Sequence, residues 1–193
     1  LQQARARSRQ KRILRAAASV FSSRGYRGAA VDEIAREAET SKGGVYFHFP
    51  GKKAILLALL DHTAGLLRTK VEIAMAEHDD PIQKAETALS EVLRVMAEHR
   101  TLARVFALEA MGAGPEVHAK IIKIEDDFSE LIQMQLDLAI RDGAIGPIDT
   151  RVAAQAWMGI LNAVILRWAA GPDQADLKSE YGPLRALLLR SIG

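Results

Sequence analysis

The residues best equipped for chemistry fall in one short window: Thr40, Ser41, Lys42, Gly43, Gly44, Tyr46, His48 and, just beyond, Lys52. Long cations, hydroxyls and ring donors beside glycines are the groups that meet phosphate oxygens and base edges of a DNA duplex. Two short helices separated by a tight turn would present them. Val31, Ile34, Ala35 and Ala38 recur at helical spacing and give the first helix an apolar side. Thr40 and Ser41 can cap the second by accepting bonds from its free N–H groups, and Val45 and Phe49, four apart, hold it to a core. Lys42, Gly43, Gly44, Tyr46, Phe47 and His48 are left wholly or partly outward. Lys42, at the start of this reading helix, can reach a guanine edge or a phosphate, and Thr40 a base edge or thymine methyl. His48 has no second His, Cys or carboxylate at a helical ligand spacing, so neither a metal site nor a catalytic base is expected there.

Together with Ile13-Leu14-x-x-Ala17-x-x-x-Phe21-x-x-x-Gly25-Tyr26 before it and Pro50-Gly51-Lys52-Lys53 after it, this stretch resembles the TetR family of bacterial transcriptional regulators. The resemblance covers the first third of the chain. It implies an N-terminal three-helix helix-turn-helix domain, with Tyr46, His48 and Lys52 as phosphate contacts. Three positions depart from the family pattern. Ala29-Ala30 replaces the usual hydroxyl pair opening the second helix, which removes a cap worth about 1 kcal/mol, although Glu33 can still reach back to a free N–H. Glu39 replaces the usual turn glycine, where a left-handed backbone costs roughly 1–2 kcal/mol. Gly44 stands beside Gly43, each weakening a helix by about 1 kcal/mol relative to Ala, and close backbone approach to DNA is the expected compensation.

Charge divides the chain. The total of +2 over 193 residues hides residues 1–53, with 12 Lys/Arg against 4 Asp/Glu, and residues 54–193, with 14 against 20. A net +8 suits a polyanion, and a net −6 should face away from one. We therefore expect a DNA-binding domain over 1–53, with Arg5, Arg7, Arg9, Lys11 and Arg12 forming a basic arm or a solvated tail, and a second domain over 54–193. The chain has no Cys, which suits a reducing cytoplasm. No signal peptide is visible at the basic start, and the longest unbroken apolar run, Ala54 to Leu60, is far short of the roughly 20 residues of a membrane span. A cytoplasmic protein without a membrane partner is expected.

Along the chain the periodicity predicts helices alone. The first ends near Arg24 with Gly25 as its left-handed stop. After the reading pair come helices over about 52–77, 81–98, 101–111, 115–142, 149–170 and 176–192, punctuated by Gly112-Ala-Gly-Pro115, Gly143 to Pro147 and Gly171-Pro172, with Gly182-Pro183 able to kink the last. The predicted fold class is all-α: a helix-turn-helix domain followed by a helical ligand-binding and dimerisation domain.

In that second domain Ala156, Gly159, Ala163 and Ala170 form one side of a helix whose opposite side, Trp157, Ile160 and Val164, is also apolar. Such a helix needs partners on two flanks. A second copy, approaching beside Leu184, Leu187, Leu188 and Ile192, would supply one, although packing within a single chain is the alternative. Polar residues interrupt other apolar stripes: Gln135 among Ile121, Ile124, Phe128, Leu131 and Leu138, and Glu109 among Leu102, Val105 and Phe106. With Met96, Phe106, Phe128 and Trp157, Glu109 and Gln135 could be the few polar anchors of an apolar ligand pocket, or they could bond to each other, to water or to Arg104 as ordinary core groups. Leu102-Ala-Arg-Val105, Leu108-Glu109 and Asp149-x-Arg151-x-Ala153-Ala154 resemble acyl-CoA-sensing regulators of fatty-acid degradation. The reading is a homodimeric repressor of double-stranded operator DNA, released by a small apolar effector with fatty acyl-CoA as a candidate. The alternative is a constitutive or architectural DNA-binding protein with no effector. No nucleophile–base pair, phosphate loop or metal set is present in the sequence, so neither an enzyme nor a cofactor is expected.

Overall fold

The structure is a computed structural model that describes residues 2–172 and 175–193, with the side chains of residues 2–5 and 111 outside the description. Every regular element among them is helical: α1 (Gln2–Gly28), α2 (Val31–Glu37), α3 (Lys42–His48), α4 (Lys52–Met75), α5 (Pro81–Glu98), α6 (Arg100–Arg104), α7 (Pro115–Arg141), α8 (Thr150–Ala170) and α9 (Tyr181–Arg190). The basic start, expected as an arm, is the first part of α1, with Arg7, Arg9, Lys11 and Arg12 exposed; the side chain of Arg5 lies outside the described residues. Arg, Gln and Ala are good helix formers, and no Gly, Pro or β-branched residue precedes Ile13 to stop them. Gly25, at φ +73°, kinks the helix where a stop is expected, and one more turn follows to Gly28.

Two apolar cores form, and their boundary does not follow the charge boundary. The first gathers Ile13, Ala17, Phe21, Ile34, Val45 and Phe49 from α1–α3 and then runs through Ile55, Leu56, Leu59 and Leu60 of α4. It also takes in Val105, Ala110, Val117 and Ile121 from farther along the chain. The second joins Leu67, Val71 and Met75 of α4 to Leu89, Leu93, Phe128, Leu136, Trp157 and Leu161. The head, α1–α3, thus sits on the body through shared apolar surface, and α4 belongs to both.

The segment expected as one helix over 101–111 is not uniform. After Arg104 it widens into a π-helical turn, Val105–Glu109, and then tightens into a 3₁₀ turn, Ala110–Gly112. Wide turns of this kind are rare and concentrate at functional sites. The segment is anchored at its start: Arg100 Nη2 donates to the carbonyls of Trp168, Gly171 and Pro172 at 2.9, 2.8 and 3.0 Å, and Arg104 Nη1 to that of Ala169 at 3.1 Å. These carbonyls lie at and just past the end of α8, where backbone acceptors need donors from outside the helix and a cation meets the negative end of the helix dipole. By length and composition α8 could cross a bilayer, a property that unbroken apolar runs do not register. In the fold it is a body helix, with Trp157, Leu161, Ile165 and Trp168 buried. Pro183 stands in the first turn of α9, where its missing N–H costs no helical bond.

Candidate nucleic-acid interface and body cavity

In the head the turn between α2 and α3 forms as its residues dictate. Ser41 Oγ accepts from the Gly44 N–H at 3.0 Å and caps α3. Glu33 Oε2 accepts from the Ala30 N–H at 3.3 Å, half of a capping box. Glu39 takes the left-handed conformation, φ +49°, and Thr40 N–H closes the turn on the Ala35 carbonyl at 2.9 Å. Gly44 has a reason inside the protein. A Cβ there would stand 2.5 Å from Thr40 Oγ1, so the glycine makes room for the Thr40 side chain against α3, and approach to DNA is not needed to explain it.

Gly43, Lys42 and Tyr46 face outward, while His48 is half-buried against the rings of Phe47 and Phe49. Two cations have partners within the head. Lys42 Nζ lies 2.9 Å from Asp32 Oδ1 and 3.2 Å from Oδ2, and this carboxylate raises the ammonium pKa. Lys52 is turned inward. Its Nζ donates to the carbonyls of Arg27 and Ala29 at 3.1 and 2.9 Å and lies 4.8 Å from the Tyr26 ring centre. It ties the start of α4 to the α1–α2 loop. Phe47 is 83% exposed on α3, with no core to cover it; apolar contact with a thymine methyl is a use for such a ring. Its register opposite Val45 and Phe49 was already legible.

In the body a cavity of about 270 Å³ opens between α4, α5, α7 and α8. Phe106 and Ala107 of the π-helical turn, Met96 and Phe128 stand on its wall, and Glu125 and Asn162 are its polar lining. Three of the proposed ligand residues lie elsewhere. Trp157 is 1% exposed, and its indole N–H donates to Ser191 Oγ at 3.1 Å. Gln135 is buried off the wall, its side-chain oxygen without a partner. Glu109 crosses to the head, where its Oε2 accepts from the Tyr26 backbone N–H at 2.9 Å. Axial position takes Gln135 off the wall, since it lies on the side of Phe128 two turns farther along α7, whereas helical phase turns Trp157 away from its neighbour Met158. Ile121, Glu125 and Phe128 share one stripe of α7, and Asn162 follows Met158 by four on α8, so the signal for the missed pair was present.

These parts define a class: a helix-turn-helix transcriptional regulator whose reading head is packed on a helical body that carries a cavity. Residues 13–59 match the family model described as bacterial regulatory proteins, tetR family, and residues 78–170 match that of the tetracyclin repressor-like C-terminal domain. The chain belongs to the TetR family, and it is a regulator rather than an enzyme. It is 29% identical to the A-factor receptor protein of Streptomyces griseus over 98% of its own length, and spans 66% of that receptor. The structure is similar to that of the fatty acid degradation regulator FadR from Bacillus halodurans, with a TM-score of 0.87 at 27% identity, covering 95% of this chain and 99% of that one. It is also similar to FadR from Bacillus subtilis in complex with stearoyl-CoA, with a TM-score of 0.88 at 26% identity and the same coverage.

Proposed function

We propose that this regulator is a homodimeric repressor that leaves its operator when a small, largely apolar effector fills the body cavity. One observation carries the reading. The same π-helical turn lines the cavity at Phe106 and Ala107 and, at its last residue, Glu109, holds the head at Tyr26. A side chain displaced by an effector therefore moves the segment on which the head rests. Binding alone releases nothing, because a ligand shifts an equilibrium only by its differential affinity for two shapes. A coupling of about 1–3 kcal/mol lowers operator affinity about 5- to 150-fold, and the operator weakens effector binding by the same factor.

Pairing is supported by the outward side of α8. Ala156, Gly159 and Ala163 are exposed there, beside Val152 and Leu166, and Leu187 of α9 is 56% exposed. Small residues allow close approach, and two helices from each copy would make a four-helix interface. Ala163 and Leu166 also line the cavity, so a partner on this face would close part of its wall. The pairing would set two α3 helices for half-sites about 34–36 Å apart. A cytoplasmic location accompanies this reading. For the effector, the likeness to FadR supports an acyl chain, as in fatty acyl-CoA. The test is to select an operator from random duplexes and titrate it with and without compounds that raise the protein's melting temperature. An inverted-repeat operator released by a stabilising compound is expected. Stabilisation that leaves every operator bound would instead favour a constitutive DNA-binding protein.

A further inference from the structure

The cavity wall carries its own statement about the head group of what it holds. Its lining is apolar apart from Glu125 and Asn162, on α7 and α8, and Glu125 is the one ionisable side chain among the described lining residues. Among the described residues neither makes a hydrogen bond, and both are partly exposed, so two polar groups on an apolar wall are open to a ligand. Burial raises the Glu125 pKa most, and Asp126 raises it further while His118 opposes. A carboxylate placed at such a cost is most useful against a positive charge.

The rim says the same. A second depression, of about 190 Å³, shares Ile124 and Phe128 with the cavity and is lined by Asp61, Arg68 and Asp127. Three cations at this rim are held by carboxylates: Lys120 by Asp61 at 2.8 Å, Lys123 by Asp127 at 3.3 Å and Arg68 by Glu72 at 2.9 Å. A polyphosphate arriving there would have to break those pairs and face the released carboxylates.

Building on the reading that the cavity holds an effector, but replacing fatty acyl-CoA as the candidate, we infer that the cavity selects an apolar cation of the lipophilic amine class, its charge met by the Glu125 carboxylate with Asn162 as the other polar group on the wall. Phe106 and Phe128 line the same wall, and aromatic rings there suit a cation.

Three probes with one shared chain separate the head groups: decylamine, decanoate and decanoyl-CoA, each titrated calorimetrically into the full-length protein at neutral pH. Decylamine should bind at least about tenfold more tightly than either anion, and Glu125→Gln should remove that advantage. Glu125→Gln keeps the side-chain shape and removes a partly buried charge, so it should fold, and its melting curve verifies this. Equal or tighter binding of decanoate or decanoyl-CoA overturns the inference, as does no binding by any probe or unchanged amine affinity in Glu125→Gln. Operator retention is measured separately. Amine selectivity with the operator still bound supports the assigned head group and removes the effector role.

Discussion

Glu109 and Gly25 are fitted to each other across the junction of head and body: a Cβ on Gly25 would stand 3.0 Å from Glu109 Oε2. The glycine permits both the left-handed kink, φ +73°, and the approach that lets the carboxylate accept from the Tyr26 N–H at 2.9 Å. One position thus sets the bend of α1 and the seat of the body on it.

Glu109→Ala should lower stability by about 1.5–3 kcal/mol, the range for a hydrogen bond to a charged group, and Gly25→Ala should do so through left-handed strain of roughly 1–2 kcal/mol. The decisive reading is coupling. In Glu109→Ala an effector should still bind, but its effect on operator affinity should fall toward none. Thermal unfolding and operator titration with effector measure the two, and undiminished release would place the coupling elsewhere.

Asp32 and Lys42 form an exposed ion pair on the reading surface. Asp32→Asn should tighten binding to all sequences and steepen the salt dependence by about one phosphate's worth, since a cation is freed. Lys42→Ala should lower discrimination between matched and scrambled operators by about 1–3 kcal/mol if the freed ammonium reads a base. An unchanged specificity ratio would assign Lys42 to a phosphate. Titrations at two salt concentrations separate these outcomes.

Lys52→Met should behave as a structural change rather than the loss of a phosphate contact. It removes the donations to the Arg27 and Ala29 carbonyls, so melting should fall while the salt slope of the folded protein stays the same. A slope reduced by about one with unaltered melting would return Lys52 to the DNA surface.

Gly159→Glu tests the pairing face without touching the cavity wall. Nothing lies within 4 Å of a Cβ there, so one chain accommodates the change, whereas two copies in close approach would oppose like charges. Sedimentation should show monomers with weakened operator affinity. A persistent dimer would move the interface off this side of α8.

The pH dependence of the empty cavity has a definite sign. Glu125 keeps its proton to higher pH in the fold than in the unfolded chain, so its ionisation opposes folding at neutral pH. That penalty fades as the pH falls through the raised folded value. Glu125→Gln should therefore raise the melting temperature at neutral pH, with a smaller gain near about pH 4. Equal gains at both would show that the carboxyl carries no such penalty.

The order of helices, the capped turn at Ser41 and the apolar side of the reading pair were all written in spacing, because a 3.6-residue period and an N-cap are local properties of a chain. The left-handed cost at Glu39 was also readable, since it attaches to one residue. Direction was not. Lys52 donates to the Arg27 and Ala29 carbonyls because only the fold brings residues 25 and 23 positions away beneath its ammonium. Glu109 left the cavity for Tyr26, 83 positions away, because the widened turn after Arg104 lies between head and body and packs on both α1 and α8. Spacing reports which residues share a side of a helix; which neighbour that side meets is settled by tertiary packing, and with it which polar groups find partners and which, like Glu125 and Asn162, are left facing a cavity.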